Sequence, residues 1–340
     1  MRTAVVILNY NGLNFLKQFL DTIVRECPQD AEVIVADNYS SDESVRWLHQ
    51  NYPQLKIIQH PVNYGFAGGY NKALRQIDAK YFVVLNSDIE VTQGWLAPLI
   101  DYMEQHPDVA ASHPKIRSFR SKEYFEYAGA GGGFIDMFGF PFCRGRIFTK
   151  LEKDMGQYDD IVPVFWATGA CMIVRSDCFW QAGGFDDFFF AHMEEIDLCW
   201  RFQRMGYKVM CLPFSKVFHI GGGTLPKNSP RKTFLNYRNN LSMLAKNLPV
   251  ALLLPVFLFR LITDIAASAV FLIQSGLPHF ASVWKAYFSF LANLSKIIRS
   301  RKEFGKTYSF KLSSTIYKNS VLLAYFVGGK KKFSQLKRKN

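Results

Sequence analysis

Over the first ninety residues, short apolar runs alternate with longer segments in which apolar side chains recur every three or four positions. Ala4 to Leu8 predicts a buried strand, and Leu13 to Arg25 a helix with its stripe at Leu13, Leu16, Leu20 and Ile23 or Val24. A second strand is predicted from Ala31 to Ala36, a helix from Asp42 to Gln50, a third strand from Lys56 to Gln59, a helix from Gly68 to Ile77 and a fourth strand from Tyr81 to Leu85. Such alternation predicts an α/β fold with a Rossmann-like, mostly parallel sheet flanked by helices on both faces. Ligands of such sheets bind beyond the carboxyl ends of the strands. The loops to inspect are therefore Asn9 to Gly12, Asp37 to Asp42, Pro61 to Asn71 and Asn86 to Glu90.

From Gly129 to Gly145 glycines and aromatics alternate without a period, which predicts a loop or hairpin region over the site. A strand candidate at Ala170 to Arg175 follows, then a helix from Glu194 to Met205 with Gly206 as its C-cap. Past Asn247 the character changes, and the division expected is a catalytic domain over 1–245 and an apolar, basic helical C-terminal region over 246–340.

That C-terminal region opens with Val250 to Ile273, long enough to span a bilayer but carrying Arg260 and Asp264 in its middle. Each central charge costs about 2.5–3.5 kcal/mol on insertion, although the i,i+4 spacing lets the pair neutralise itself. An interfacial or re-entrant helix is expected, with a packed helical subdomain as the plain alternative. Trp284, Tyr287, Phe288 and Phe290 follow among Lys and Arg, and the chain closes on Lys330-Lys331-Lys332 and Lys337-Arg338-Lys339. This density of cations beside aromatics suits an anionic membrane surface.

Charge sharpens the division. The formal net charge is +13, yet Met1 to Trp284 holds 27 Lys plus Arg against 27 Asp plus Glu, while Lys285 to Asn340 holds 14 basic residues and only Glu303. Partners inferred from charge belong to the tail, and without a recognition-module signature nucleic acid is not among them. The six cysteines show no CxxC pair and no zinc spacing, so buried reduced thiols are expected. The run after Met1-Arg2-Thr3 is too short for a signal peptide, which points to the cytoplasm.

Candidate chemistry lies at the predicted strand ends. Asp37-Asn38 could accept hydrogen bonds from a base or from ribose hydroxyls, and alone it reads as a turn with an Asx cap. Gly65, Gly68 and Gly69 within Asn63 to Asn71 would let the backbone approach a ligand. Asp88, in Asn86-Ser87-Asp88, suits a hard divalent cation shared with phosphates. Glu194, Glu195 and Asp197 form the densest acidic group, and mutual repulsion would raise one carboxyl toward the value a general base needs. The dull account, acids complementing a helix dipole, covers one or two of the three. His219 precedes Gly221-Gly222-Gly223-Thr224, which leaves room for a metal or phosphate.

Taken in order, these segments resemble the family 2 glycosyltransferases, especially their bacterial rhamnosyltransferase-like branch. The matching stretches are VVILNYNG from Val5, VADNYSSD from Val35, NYGFAGGYN from Asn63, LNSD from Leu85, WATGACMIVR from Trp166, GGFDDFFFAHMEEIDLCWRFQRMGY from Gly183 and HIGGGT from His219. The resemblance implies the A-type glycosyltransferase fold, an inverting displacement, Mg²⁺ or Mn²⁺ as cofactor, and a dTDP- or UDP-sugar donor. The acceptor would be a glycan or lipid-linked molecule of cell-surface polysaccharide synthesis, at the cytoplasmic face of the inner membrane.

The same resemblance implies roles. Asn9, Asn11, Asp37, Asn38, Asn63, Gly65, Phe66, Gly68, Gly69, Asn71 and Asn86 would line the donor pocket, with Asp88 and His219 on the metal. Glu195 would be the base, Glu194 its close second, and Asp197 would orient the helix start or the acceptor. Trp166, Thr168 and Gly169 would lie against the acceptor. The chain departs from the family in having Asn86-Ser87-Asp88 for Asp-x-Asp and Glu195 for the usual Asp. Other functions weighed are a sugar-nucleotide nucleotidyltransferase, which should carry a glycine-rich phosphate loop where Asn9-Tyr10-Asn11-Gly12 stands, and a non-catalytic carbohydrate- or lipid-binding homologue.

Overall fold

The structure is a computed structural model that describes residues 1–221 and 228–336. Gly222, Gly223 and Thr224 of the glycine run and Lys337-Arg338-Lys339 lie outside the described residues. At the centre is a mixed nine-stranded sheet. Its strands β1 (Thr3–Asn9), β2 (Ala31–Asp37), β3 (Lys56–Gln59) and β4 (Tyr81–Asn86) are parallel, in the order β4-β1-β2-β3. Helices α1 (Leu13–Arg25), α2 (Ser44–Asn51) and α3 (Gly65–Leu74) make the crossovers. Successive side chains of a strand point to opposite faces, so Val5 and Ile7 pack with Leu16, Leu20 and Leu48, while Ala4 and Val6 pack with Ala67, Tyr70 and Leu74. Burial on both faces is what makes these strands read as continuous apolar runs.

Beyond β4 come β5 (Ile89–Val91), α4 (Ala97–Gln105) and β6 (Val109–Ser118), and after the inserted segment described below β11 (Val162–Pro163), β12 (Cys171–Arg175), α5 (Ser176–Gln181), α6 (Glu194–Arg204) and β13 (Lys208–His219). β12 lies antiparallel between β4 and β6, and β13 runs parallel to β6. This reversal has a consequence for the site. An antiparallel strand begins where its neighbour ends, so the Asn86 N–H meets the Ala170 carbonyl at 2.9 Å and the segment before β12 crosses the carboxyl edge of β4. The parallel β13 ends at that same edge, where the Ile220 N–H donates to the Asp88 carbonyl at 3.2 Å.

The helix expected from Gly68 begins at Gly65, because the Asn63 side-chain oxygen accepts the Gly65 N–H at 2.8 Å and the glycines themselves form the first turn. The segment expected as a loop or hairpin around Gly129 to Gly145 builds a small four-stranded antiparallel sheet from β7 (Gly133–Ile135), β8 (Pro141–Cys143), β9 (Arg146–Ile147) and β10 (Lys150–Leu151). All six cysteines are free and five are buried.

The C-terminal part consists of α7 (Pro230–Asn247), α8 (Val250–Ser275), α9 (Leu277–Ala292), α10 (Leu294–Thr307) and α11 (Val321–Phe326). Only Val256, Arg260, Asp264 and Ser268 of α8 are buried, a stripe at i,i+4. Arg260 and Asp264 pair at 3.2 Å, the Tyr287 hydroxyl donates to Asp264 at 2.8 Å, and the guanidinium sits over the Phe140 ring at 4.1 Å. The two charges therefore face the protein, and the apolar Leu254, Leu258, Ile262 and Ile265 face outward. The last segment returns to the small sheet: Tyr317 donates to the Ile135 carbonyl, Val321 donates to Asp136, and the Phe333 ring packs on Phe134.

Candidate active site

Asp37 is buried at the end of β2, with one oxygen accepting from Asn9 Nδ2 at 3.0 Å and the other from the Ser40 N–H at 2.9 Å. Asn11, held at a φ of 51°, accepts the Ser41 N–H at 2.7 Å. Asn38 is spent on structure: its amide donates to Asn63 Oδ1 and the Gly65 carbonyl and accepts the Tyr64 N–H. These bonds knit the first two strand-end loops into one wall, with Asn9 Oδ1 left buried and without a hydrogen-bond partner.

The glycines of α3 differ from expectation. A Cβ on Gly69 would lie 2.9 Å from Leu8 Cδ1, one on Gly68 3.1 Å from Tyr64 Cβ, and one on Gly65, at a φ of 72°, 2.5 Å from the Phe190 carbonyl oxygen. The packing of α3 on β1 requires Gly69, and its approach to the 188–193 loop requires Gly65. Asn71 is likewise internal, donating to the Phe185 carbonyl and Asp187 and accepting the Phe185 N–H. Phe66 packs edge-on against Tyr70, and Gly169 lies so close to the Phe66 ring that a Cβ there would come within 2.9 Å of it.

Where β13 ends beside β5, His219 lies between two carboxylates. Its Nε2 is 3.1 Å from Asp88 Oδ1 and its Nδ1 3.3 Å from Glu126 Oε2. Burial opposes the imidazolium charge, but the two carboxylates outweigh it and raise the ring's pKa to about 10. Burial also opposes ionisation of Asp88 and Glu126, and the hydrogen bond and charge of His219 prevail, holding both below the usual carboxylate range. Glu126 carries no signal in the sequence: it stands in an aperiodic stretch, and only the fold brings it to His219.

Glu194 and Glu195 occupy the first turn of α6. Glu194 is 4% exposed and Glu195 half-buried, and each has one carboxylate oxygen without a hydrogen-bond partner. Burial, then the neighbouring Glu195 charge, pushes Glu194 well above the usual range, and burial pushes Glu195 up to about 7. Asp197, expected with them, is instead fully buried and accepts from Arg201 Nε at 2.9 Å, Lys246 Nζ at 2.9 Å and Asn247 Nδ2 at 2.8 Å. Two residues past Glu195, about 200° round the helix, it points toward α7 and fastens α6 to it.

The loop entering α6 is strained, with Phe190, His192 and Met193 at φ of 63°, 72° and 73°. The sequence reading missed what holds it. Asn239 of α7 aims its amide at the carbonyls of Phe189, Ala191 and His192, at 2.9, 2.9 and 2.7 Å, and Arg238 donates to the Phe188 carbonyl at 2.7 Å. The available signal was the polar pair Asn239-Asn240 set directly before the apolar Leu241, Met243 and Leu244 of the same helix. On the far side the Ala167 N–H contacts Cys199 of α6, which brings the 166–169 segment beside the acid pair. Trp166 and Thr168 are buried there, with the indole N–H spent on the Phe134 carbonyl at 2.9 Å, so they form wall, not exposed contact surface.

Residues 4–179 match the family model described as "Glycosyl transferase family 2". The chain is similar to N-acetylglucosaminyl-diphospho-decaprenol L-rhamnosyltransferase of Mycobacterium tuberculosis, 27% identical over 230 residues, covering 63% of this chain and 75% of that protein. It is also similar to rhamnosyltransferase WbbL of Escherichia coli, 27% identical over 222 residues, covering 63% of this chain and 82% of that one. Among solved structures, GalNAc-T7 with UDP, GalNAc and Mn²⁺ aligns with a TM-score of 0.59 at 14% identity, covering 91% of this chain and 58% of that chain. A mannosyltransferase of Pyrobaculum calidifontis in complex with GDP-Man and Mn²⁺ aligns with a TM-score of 0.51 at 17% identity, over 89% of this chain and 84% of that chain. These two likenesses show the A-type fold.

Asn239→Ala leaves the Ala191 and His192 carbonyls of the strained loop without their donor, while Phe189 keeps Arg238. A loss of about 1–3 kcal/mol of stability is expected, together with faster amide hydrogen exchange confined to 188–194. Exchange indistinguishable from the parent would show that the loop is held by something else.

Proposed function

The chain belongs to glycosyl transferase family 2, and from that membership we propose that it is an inverting enzyme in which Glu195 is the general base, Glu194 the carboxyl that tunes it, and Asp37 the recognition group for the donor nucleotide. The observation that carries this reading is the acid pair itself: two carboxyls in one helical turn, raised in pKa, each with an unpaired oxygen, beside loops built from three strand ends. Structural acids are paired, as Asp197 is, whereas a group that must take a proton is left free.

A divalent cation fits the chemistry of the donor set. Asp88 Oδ1 and His219 Nε2, 3.1 Å apart and hydrogen-bonded to each other, would be its ligands, with the imidazole nitrogen giving up its proton in exchange for the ion. Glu126 on the other ring nitrogen is the carboxylate partner that metal-bound histidines ordinarily have. Asp88 and His219 would hold Mg²⁺ or Mn²⁺, which when bound supplies positive charge for the departing diphosphate.

The step then balances as follows. The acceptor oxygen forms a bond to the anomeric carbon as the carbon–oxygen bond to the diphosphate breaks, the electron pair leaves with the diphosphate, and the hydroxyl proton passes to Glu195. The named relatives support an L-rhamnosyl donor, carried on dTDP or UDP, and a glycan or lipid-linked acceptor in cell-surface polysaccharide synthesis. The outward apolar face of α8, long and apolar enough by composition to cross a membrane, supports a peripheral or monotopic place on the cytoplasmic side of the inner membrane. With Arg260 and Asp264 turned inward, the helix can lie on the bilayer without exposing either charge to it.

Glu195→Gln should lower kcat for transfer by about 10²-fold or more while donor binding persists. In the parent the base acts only when ionised, so kcat should rise as pH increases through about 7. A variant with parent-like turnover, or a rate that falls across that interval, would contradict the assignment. For the membrane, Leu258→Ser, Ile262→Ser and Ile265→Ser together remove apolar area worth about 1.5–3 kcal/mol per fully buried side chain. Partitioning into neutral phosphatidylcholine vesicles should fall at least about a hundredfold, and unchanged sedimentation with the vesicles would refute a bilayer-facing α8.

A further inference from the structure

A cavity of about 500 Å³ opens between α10 and the catalytic domain, lined by the 182–188 segment, the C-terminal ends of α6 and α7, and the face of α10 that carries Arg299 and Arg301. It is separate from the acid pair and from Asp88, none of which lines it. Its size falls in the range of about 300–1,000 Å³ usual for small-molecule sites. The lining is cationic, with seven Lys or Arg against three Asp or Glu. Asp197, behind the wall, serves Arg201 and Lys246, so a net positive charge stays in the cavity.

The cations at its centre lack anionic partners. Arg204 donates to Asn247 Oδ1 at 3.1 Å and to the carbonyls of Tyr308 and Ser309 at 2.9 and 3.2 Å, and Arg301 to the carbonyls of Ala245 and Leu248 at 2.8 and 2.7 Å. All five oxygens are neutral. Both guanidinium groups rest on the Phe310 ring, 4.0 and 3.9 Å from its centroid, and burial followed by the Arg301 charge pushes Arg204 down to about 10. Among the described residues neither forms an ion pair. Arg301 Nη2 and Arg201 Nη2 have no hydrogen-bond partner, and Arg201 is only 5% exposed. Two like charges held together, with N–H groups left over, make a place for an oxyanion that bridges them.

We propose that this cavity binds a phosphate group, presented as the headgroup of an anionic membrane lipid. The lipid source rests on the reading of α8 as bilayer-facing, because α10, which carries a wall of the cavity, is joined to α8 through α9 alone. A cationic pocket between helices next to an apolar face is the arrangement by which proteins take up phospholipid headgroups. Arg299, exposed at the mouth, would meet the phosphate first, and Arg301 would hold it inside.

The test uses the full chain and vesicles of phosphatidylcholine with and without phosphatidate. Arg301→Ala and Arg299→Ala should each weaken binding to phosphatidate vesicles by about tenfold or more, the loss expected of a charge-assisted contact, while binding to pure phosphatidylcholine stays at the parent level. Lys302→Ala removes the same charge from the next position of α10, which does not line the cavity, and should cost about fivefold at most. Arg301 also caps α7, so its melting curve is compared with the parent, and the exposed Arg299 gives the same reading without that risk. Equal, weak losses in all three variants would overturn the site in favour of diffuse attraction. Stabilisation by inorganic phosphate, with vesicle binding untouched in Arg299→Ala, would overturn the lipid source. Loss of phosphatidylcholine binding in the α8 serine variant, with the phosphatidate increment retained, separates the two readings.

Discussion

Two carboxyl groups in the first turn of α6 must stay close together, out of bulk water and unpaired, and most of the molecule is arranged to permit this. A helix start with its amides exposed favours negative charge, so α6 offers the pair a favourable field even as burial penalises their ionisation. The cost shows in the backbone just before it, where three non-glycine residues take positive φ. Such a loop persists only if the surroundings hold it. Here α7 supplies Asn239 and Arg238, α3 supplies a glycine against which Phe190 can rest, and Asp197 ties α6 to Lys246 and Asn247. The neighbouring acid thus serves the pair through its position in the scaffold.

The sheet brings the other groups to the same edge. Asp37 lies where β2 stops, Asp88 just past the end of β4, and His219 where β13 stops, because parallel strands share one carboxyl end. The antiparallel strand β12 lets the segment before it cross the same edge and wall the acid pair. Asp88, His219 and Glu126 form one charged chain at this edge, with the imidazole between the two carboxylates.

Much of this was legible from the chain itself. The alternation of continuous apolar runs with helical patterns located the strand ends, and with them Asp37 and Asp88, to within a few residues, and the acidic cluster marked the start of α6. What was not legible depended on contacts between distant segments. The glycines of α3 looked like room for a ligand, because a single sequence does not reveal that Leu8, Tyr64 and Phe190 fill the space a side chain would need. Asp197 looked like a third active carboxyl, because spacing alone does not reveal that Lys246 comes from a helix some fifty residues on. Glu126 had no period or motif to mark it. In α8 the i,i+4 charges suggested self-neutralisation, and the structure adds that the pair points into the protein, which reverses the usual amphipathic order and leaves the apolar side outward.

The central claim is that a carboxylate of this pair assists direct attack by the acceptor on the anomeric carbon, with no covalent sugar–enzyme intermediate. The configuration of the first-formed product, read by proton NMR against that of the donor before any slow anomerisation, tests it most directly. The account predicts the opposite anomeric configuration in product and donor. The same configuration in both would contradict it.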